Sequence, residues 1–216
     1  MKCMGFVLVL SIAAAQATSA QGADRDEQER AVAAIRKLGA KVEVDSTKPG
    51  KPVIKVSFRN TPVTDEGLAH LKVLTDLQEL DLSHTTTTNA GLQHIGGLTQ
   101  LTKLNLSFVP VSDGGLVLLK GLAKLKWIDL ERSCKDPDHF IGDAGLKHLT
   151  GLTELEYLNL DWNKITDAGL QQLKGLSNLK EVIVASGKVT DNGVKELQKA
   201  LPKAKIKLTT DIITPR

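Results

Sequence analysis

The sequence is dominated by one segment that recurs in phase. The stretch 155–178, LEYLNLDWNKITDAGLQQLKGLSN, is one copy of a 24-residue unit. The copies begin at Val53, Leu77, Leu101, Leu125, Leu155 and Leu179, and a truncated seventh copy begins at Lys203. A fixed period of this length is typical of a solenoid, in which each copy packs only against its neighbours. The repeat therefore restricts the possible folds more than any other feature of the chain.

Each copy has two halves with different hydrophobic periods. The first half reads L-x-x-L-x-L, as in Leu155, Leu158 and Leu160, and its alternation is typical of a strand with one buried face. The second half reads [IV]-T-D-x-G-L-x-x-L-x-x-L, whose leucines step by three along one face of a short helix. We expect Thr166 to cap this helix and Asp167 to lie in its first turn, where the helix dipole favours an anion. One copy cannot bury its own apolar stripe, so stacked copies must share a core.

These two half-patterns together resemble the leucine-rich repeat. The run L-x-x-L-x-L followed by I-T-D-A-G-L is similar to the cysteine-containing subclass in the repeat arcs of F-box proteins, and to secreted bacterial leucine-rich repeat proteins. The resemblance covers residues 53–208. It implies an α/β horseshoe, with a parallel sheet on the concave face and short helices on the convex face. The column that the subclass fills with Cys or Asn here contains Thr61, Thr85, Val109, Ser133, Asn163 and Gly187.

The segments outside the repeats have their own predicted roles. Residues 1–20 are predicted to be a signal peptide cleaved near Ala20, because Lys2 precedes a short apolar run and small residues follow it. A retained anchor is the alternative, although the apolar run is shorter than a transmembrane helix requires. Residues 21–52 are predicted to form a cap of one helix and one strand, and residues 209–216 a tail. We therefore expect a secreted or periplasmic protein with no membrane span after cleavage.

Composition argues against several classes of function. The net charge of +3 is small and no Lys/Arg cluster occurs, so nucleic-acid binding is not predicted. No phosphate-binding loop or nucleophile–base pair is evident, so neither an enzyme nor a cofactor is predicted. Without the leader one cysteine is left, Cys134, which could pair only between chains. A metal site from Cys134, Asp136, Asp138 and His139 matches no strong template, and a solvated loop is the preferred interpretation.

The strand residues that point away from the core supply the candidate site. They occupy the third, fifth and seventh places of each copy and should line the concave face. Trp127 and Tyr157 share the third place on adjacent strands, which lie ~4.8 Å apart. Aromatic anchors inside a polar rim are typical of a binding patch, whereas the alternative is a cross-strand pair that only stabilises the sheet. The predicted patch comprises Trp127, Tyr157, Asp129, Asn159, Glu131, Asp161, Phe108, Arg132 and Trp162.

The sequence thus predicts an exported, non-catalytic scaffold that binds a protein or peptide on its concave face. The first alternative is a glycan-binding module, in which Trp127 and Tyr157 stack on sugar rings. The second is a substrate receptor of a ubiquitin ligase, which follows from the F-box resemblance and conflicts with the predicted signal peptide. Six extra residues in the fourth copy, within the stretch 131–140, are expected to rise beside the patch as one wall of the site.

Overall fold

Each repeat contributes one short strand, and the strands pair in the order of the sequence. The computed structural model describes residues 25–132, 139–185 and 188–209. Its strands are β1 (Lys41–Val44), β2 (Val53–Ser57), β3 (Glu79–Asp81), β4 (Lys103–Asn105), β5 (Trp127–Asp129), β6 (Tyr157–Asn159), β7 (Glu181–Val184) and β8 (Lys205–Leu208). They form one eight-stranded sheet in the order β1 to β8.

The sheet is parallel only from β2 onward. Strands β2 to β8 pair in parallel, and equivalent places of successive copies lie opposite each other, as in Trp127 opposite Tyr157. Strand β1 pairs antiparallel with β2. The predicted parallel sheet is thus confirmed for the repeats. Strand β1 belongs to the segment before them, and the loop 45–52 returns the chain directly to β2.

Short helices alternate with the strands. The α-helices are α1 (residues 25–37), α2 (Asp113–Leu116), α3 (Asp143–Leu146), α4 (Asp167–Gln171) and α5 (Asp191–Ala200). The 3₁₀ helices are Glu66–Val73, Gly91–His94, Val117–Leu119 and Gln172–Gly175. None of the helices in the described ranges is both long enough and apolar enough to cross a membrane.

One continuous core lies between the sheet and the helices. The repeat leucines are fully enclosed, as Leu158 on β6 and Leu170 on α4 show with 0% exposure. The same cluster extends from Ile35 on α1 to Ala204 before β8. Ile35 is also 0% exposed, so α1 covers the end of the core before the first repeat. The predicted α/β solenoid is confirmed, and its core uses the positions that the 24-residue period marks as apolar.

Four of the aspartates at the helix starts, Asp65, Asp113, Asp143 and Asp167, bind the next repeat. Asp143 accepts hydrogen bonds from the Thr166 backbone N–H at 2.9 Å and from the Thr166 hydroxyl at 2.6 Å. Asp167 accepts the same pair from Thr190 at 2.8 and 2.7 Å. Thr166 does cap its helix, because its hydroxyl accepts from the Ala168 N–H at 3.2 Å. The aspartate column does more than complement the dipole of its own helix, since its carboxylates join consecutive copies.

The T-D-x-G spacing that recurs between copies has a steric reason. A Cβ atom at Gly169 would lie 2.1 Å from Asp143 Oδ1, and one at Gly193 would lie 2.0 Å from Asp167 Oδ1. Real Cβ atoms do not approach oxygen so closely, so only glycine leaves room for the carboxylate of the preceding copy. The aspartate of one repeat and the threonine and glycine of the next thus form one structural unit. We call this unit the inter-repeat clamp.

One buried asparagine joins the two sides of the insertion in the fourth copy. Asn163 is 5% exposed, and its amide donates to the Leu130 and Leu160 carbonyls at 2.8 and 3.2 Å. Its oxygen accepts from the Ile141 N–H at 3.0 Å. Thr85, in the same column, donates to the Leu82 carbonyl at 2.8 Å. Thr61, Thr85 and Asn163 in this column thus each donate to the backbone carbonyl three residues earlier.

Candidate ligand-binding face

The third-place column of the concave face is a ladder of paired side chains. Lys55 Nζ lies 3.3 Å from Glu43 Oε1 on β1 and 3.6 Å from Glu79 Oε2 on β3. Farther along, the Trp127 and Tyr157 rings stack with centroids 4.9 Å apart and an interplanar angle of 6°. The prediction that these two rings are neighbours is confirmed. These contacts hold Lys55, Trp127 and Tyr157 against side chains of the neighbouring strands.

Both faces of the Trp127 ring are covered. Lys103 Nζ lies 4.7 Å from the ring centroid, a cation–π contact from β4. Tyr157 covers the opposite face from β6, on the other side of β5. A sugar ring that stacks on Trp127 would first have to displace one of these neighbours. The arrangement therefore presents the edge of the indole to a ligand and disfavours the sugar-stacking alternative.

The fifth-place side chains of β3 to β6 stabilise the turn that follows each of these strands. Asp129 Oδ1 accepts the Glu131 N–H at 2.9 Å, and Asn159 Oδ1 accepts the Asp161 N–H at 3.0 Å. The fifth-place residues of β3 and β4 form the same bond two residues ahead, at 2.9 Å in both. Asp and Asn favour this local turn because their short side chains reach the backbone two residues on. Only one carboxylate oxygen of Asp129 is left for a ligand.

Two residues of the predicted patch are not accessible. Asn159 is 5% exposed, since its oxygen is bonded to the backbone and its amide faces Glu131 Oε2 at 3.4 Å. Arg132 is 2% exposed and its side chain lies inside the protein, immediately before the insertion. Both residues were predicted to belong to the binding patch, but both side chains are buried. The repeat pattern gives their place in the copy but not how closely their neighbours enclose them.

Three carboxylates collect at and just beyond the ends of β5 and β6. Burial raises the pKa of Asp129, although the Glu131 backbone N–H acts against this. Burial also raises the pKa of Glu131, and the charges of Asp129 and Asp161 raise it further. The pKa of Tyr157 rises to about 12, through burial first and then through nearby carboxylates, of which Asp129 and Glu181 contribute most. We call Asp129, Glu131 and Asp161 the acidic group, and its mutual repulsion favours an incoming positive charge.

Aromatic side chains also line the rim at the eighth place of the copies. Phe108 and Trp162 lie there with φ of 59° and 61°, and both are half-buried. A left-handed conformation is unusual for a bulky residue. The Phe108 ring stacks on His84 of the previous copy, with centroids 4.4 Å apart and an angle of 9°. His84 thus belongs to the rim, and the sequence-based prediction missed it because it considered only Phe, Trp and Tyr as aromatic residues.

A depression of about 400 Å³ lies on the concave face over β2 to β5. Its volume is within the range of ~300–1,000 Å³ that small-ligand sites occupy. The polar and aromatic side chains that line it are Lys55, Ser57, Arg59, Glu79, Asp81, Lys103, Asn105, Trp127 and Asp129. Trp127 and Asp129 were predicted site residues, whereas the part on β2 to β4 was missed. The outward columns contain those residues, but they include no aromatic that would have drawn attention to them.

The insertion falls largely outside the described residues. The metal site considered from the sequence has three of its four residues in the segment 133–138, which is not described: Cys134, Asp136 and Asp138. After it, Phe140 packs under Lys164, with Nζ 4.3 Å from the ring centroid. Among residues 25–132, 139–185 and 188–209, no three His, Cys, Asp or Glu side chains are grouped so that they could hold a metal ion.

Comparisons with known proteins agree with the fold. A leucine-rich repeat family model matches residues 152–174. A search of the curated proteins finds no match. The chain is similar to the crystal structure of an internalin, InlF, from Listeria monocytogenes, with 25% identity, a TM-score of 0.51, and coverage of 64% of this chain and 36% of that one. It is also similar to the internalin InlC2 from the same organism, with 25% identity, a TM-score of 0.52, and coverage of 73% and 70%.

This chain therefore spans about a third of the length of the first internalin. The similarity lies in the stacked repeats, which contain the strands, the core and the inter-repeat clamp. The 24-residue period, the eight-stranded sheet and the family match together show that the chain is a leucine-rich repeat protein.

Proposed function

We propose that this protein is an exported, non-catalytic scaffold that binds a protein or peptide on its concave face. The observation that supports this most is the face itself. Among the described residues, no helix or strand packs over this face. It contains a depression of about 400 Å³ beside the Trp127–Tyr157 pair. Aromatic groups surrounded by polar side chains are typical of protein interfaces.

Contacts within the face support binding with little loss of side-chain entropy. Cross-strand contacts hold the third-place side chains, and backbone hydrogen bonds hold those at the fifth place. Immobilising a free side chain on binding costs ~0.5–1.5 kcal/mol, and groups that are already fixed avoid much of that cost. Trp127 and Tyr157 therefore serve as anchors at the centre of the proposed interface.

Export is the second part of the proposal, and it rests on sequence alone. Lys2, the apolar run over residues 6–15 and the small residues up to Ala20 support a cleaved signal peptide. N-terminal sequencing of the protein recovered outside the producing cell tests this directly. A first residue near Gln21 is expected, and recovery of a chain that still begins at Met1 would contradict it.

The binding proposal is tested with concave variants and a matched control. The wild-type protein first captures a partner from the exported proteins of the host. Trp127→Ala and Tyr157→Ala are then titrated against that partner, next to Lys120→Ala, which removes an exposed side chain from the helical side. Each aromatic change should cost ~2 kcal/mol, or about 30-fold in affinity, as central aromatic anchors do.

Circular dichroism of the three variants serves as the folding control. Lys120→Ala should bind like the wild type, because its side chain lies away from the sheet. Unchanged affinity in both aromatic variants would exclude this face as the binding site. Loss of the folded signal in either aromatic variant would instead show that the ring pair only stabilises the sheet.

A further inference from the structure

The charges on the concave face are not neutralised evenly. In the third-place column Lys55 pairs with Glu43 and Glu79, and Lys103 lies over the Trp127 ring. At the far end, Glu181 pairs with Lys207 of β8. These charges are therefore already compensated within the protein and contribute little to the choice of a partner.

The fifth- and seventh-place charges in the copies of β2 and β5 have no such compensation. Arg59, at the end of β2, is exposed and forms no salt bridge within the described ranges. Asp129 on β5 and Glu131 just beyond it likewise form none there, and each instead repels the other. One side of the face thus presents a free positive charge, and the middle presents free negative charges.

The distance between the two poles follows from the sheet. Arg59 occupies the seventh place of the β2 copy and Glu131 the seventh place of the β5 copy, so three strand steps separate them. At ~4.8 Å per step this is about 14 Å. The depression, lined by Arg59 at one end and by Asp129 at the other, lies between the poles. A ligand that reaches both must span the depression.

An extended peptide fits this spacing in length and in side-chain direction. It rises ~3.3 Å per residue, so about four residues cover 14 Å. Side chains of a strand alternate between its two sides, so residues four apart face the same side. An acidic and a basic residue at this separation would both point at the sheet.

We propose that the concave face recognises an extended peptide segment with one acidic and one basic side chain four residues apart. The acidic side chain contacts Arg59, the basic side chain contacts Asp129 and Glu131, and the segment between them lies in the depression across β3 and β4. This inference rests on the proposed function and names the chemistry of its partner.

Synthetic peptides of defined spacing test the inference. Fluorescein-labelled, end-blocked decapeptides contain one Asp and one Lys that are separated by two to six positions, in both orders, on a Ser/Thr/Ala background. Their dissociation constants are measured by fluorescence polarisation at low and at physiological salt. Binding should be tightest at a separation of four and weaker at three and five, because an odd separation turns one charge away from the sheet. It should also weaken with salt.

Charge-neutral variants assign each pole of the peptide. Asp129→Asn preserves the local turn, because Asn105 and Asn159 form the same backbone bond at equivalent places. The double variant Asp129→Asn/Glu131→Gln should lose about tenfold in affinity for the best peptide and little for the same peptide with Lys replaced by Ala. Arg59→Gln should behave in the same way toward the Asp of the peptide. Glu154→Gln, an exposed position away from the face, should change nothing.

The outcomes separate this inference from the proposed function. Affinities that do not depend on spacing, or that the double variant leaves unchanged, would overturn the inference. A captured partner that binds through Trp127 and Tyr157 while no peptide binds would also overturn it and would leave the scaffold function standing. Binding of that partner that no concave variant affects would refute both.

Discussion

The fourth repeat lacks one half of the inter-repeat clamp, and restoring it should stabilise the protein. Asp113 Oδ1 accepts the Gly142 N–H at 2.7 Å, but glycine supplies no hydroxyl for the second carboxylate oxygen. Gly142 has φ of −111° and ψ of −172°, close to the −115° and 176° of Thr166 in the complete clamp. A Cβ atom at Gly142 would lie 3.5 Å from Asp113 Oδ2, an ordinary contact. Threonine therefore fits here without strain.

Two contributions set the size of the effect. Replacing glycine at a compatible backbone conformation reduces the entropy of the unfolded chain and stabilises by ~0.4–1 kcal/mol. A hydroxyl bond to a carboxylate adds ~1 kcal/mol, since the site is half-buried and partly screened. Gly142→Thr should thus gain ~1–2 kcal/mol, which raises the melting temperature by roughly 2–8 °C for a domain of this size.

Thermal and urea unfolding, followed by circular dichroism, measure this gain. Gly142→Ala is the matched control, because it supplies the Cβ atom without the hydroxyl and should gain only the entropic part. Gly169→Ala is the opposite test. Its Cβ atom would lie 2.1 Å from Asp143 Oδ1, so the clamp must open at a cost of ~2–4 kcal/mol. Equal stability of the threonine and alanine variants, or a harmless Gly169→Ala, would refute the clamp.

Three further predictions concern the core, a buried hydroxyl and pH. Leu158→Ala should cost ~2–5 kcal/mol because Leu158 is 0% exposed, whereas Lys120→Ala should cost almost nothing in the same urea titration. Thr87→Val should be neutral or stabilising by calorimetry, because Thr87 is 0% exposed and the Thr85 hydroxyl that contacts it keeps the Leu82 carbonyl as acceptor. Asp129→Asn should stabilise the protein at neutral pH. Burial raises the pKa of Asp129, so the folded state binds more protons than the unfolded chain above the usual value of 3.8, and the gain in melting temperature should shrink as the pH falls toward that value.

The 24-residue period made most of the fold predictable. Every copy places equivalent residues in one column, so one strand pattern fixed the buried leucines and the contact between Trp127 and Tyr157. Regions where the period breaks were not predictable in this way. Strand β1 lies outside the repeats and pairs antiparallel, and Arg132 lies beside the insertion and is buried.

Hydrogen-bond partners were harder to predict than positions. A carboxylate at a helix start can complement its own helix or reach the next copy, and both are within range. The sequence pattern T-D-x-G does not distinguish them, but the bond from the Thr166 hydroxyl to Asp143 does. The burial of Asn159 was equally hard to predict. Its place in the copy faces outward, but its neighbours leave it only 5% exposed.

Site-specific photo-cross-linking tests the central claim most directly. A benzoylphenylalanine side chain replaces Lys103, exposed on β4 at the depression, or Gln93, exposed on the helical side, and each protein is irradiated with its captured partner. Binding on the concave face predicts a covalent adduct from position 103 and none from position 93. An adduct from position 93 with none from position 103 would contradict the proposed binding face.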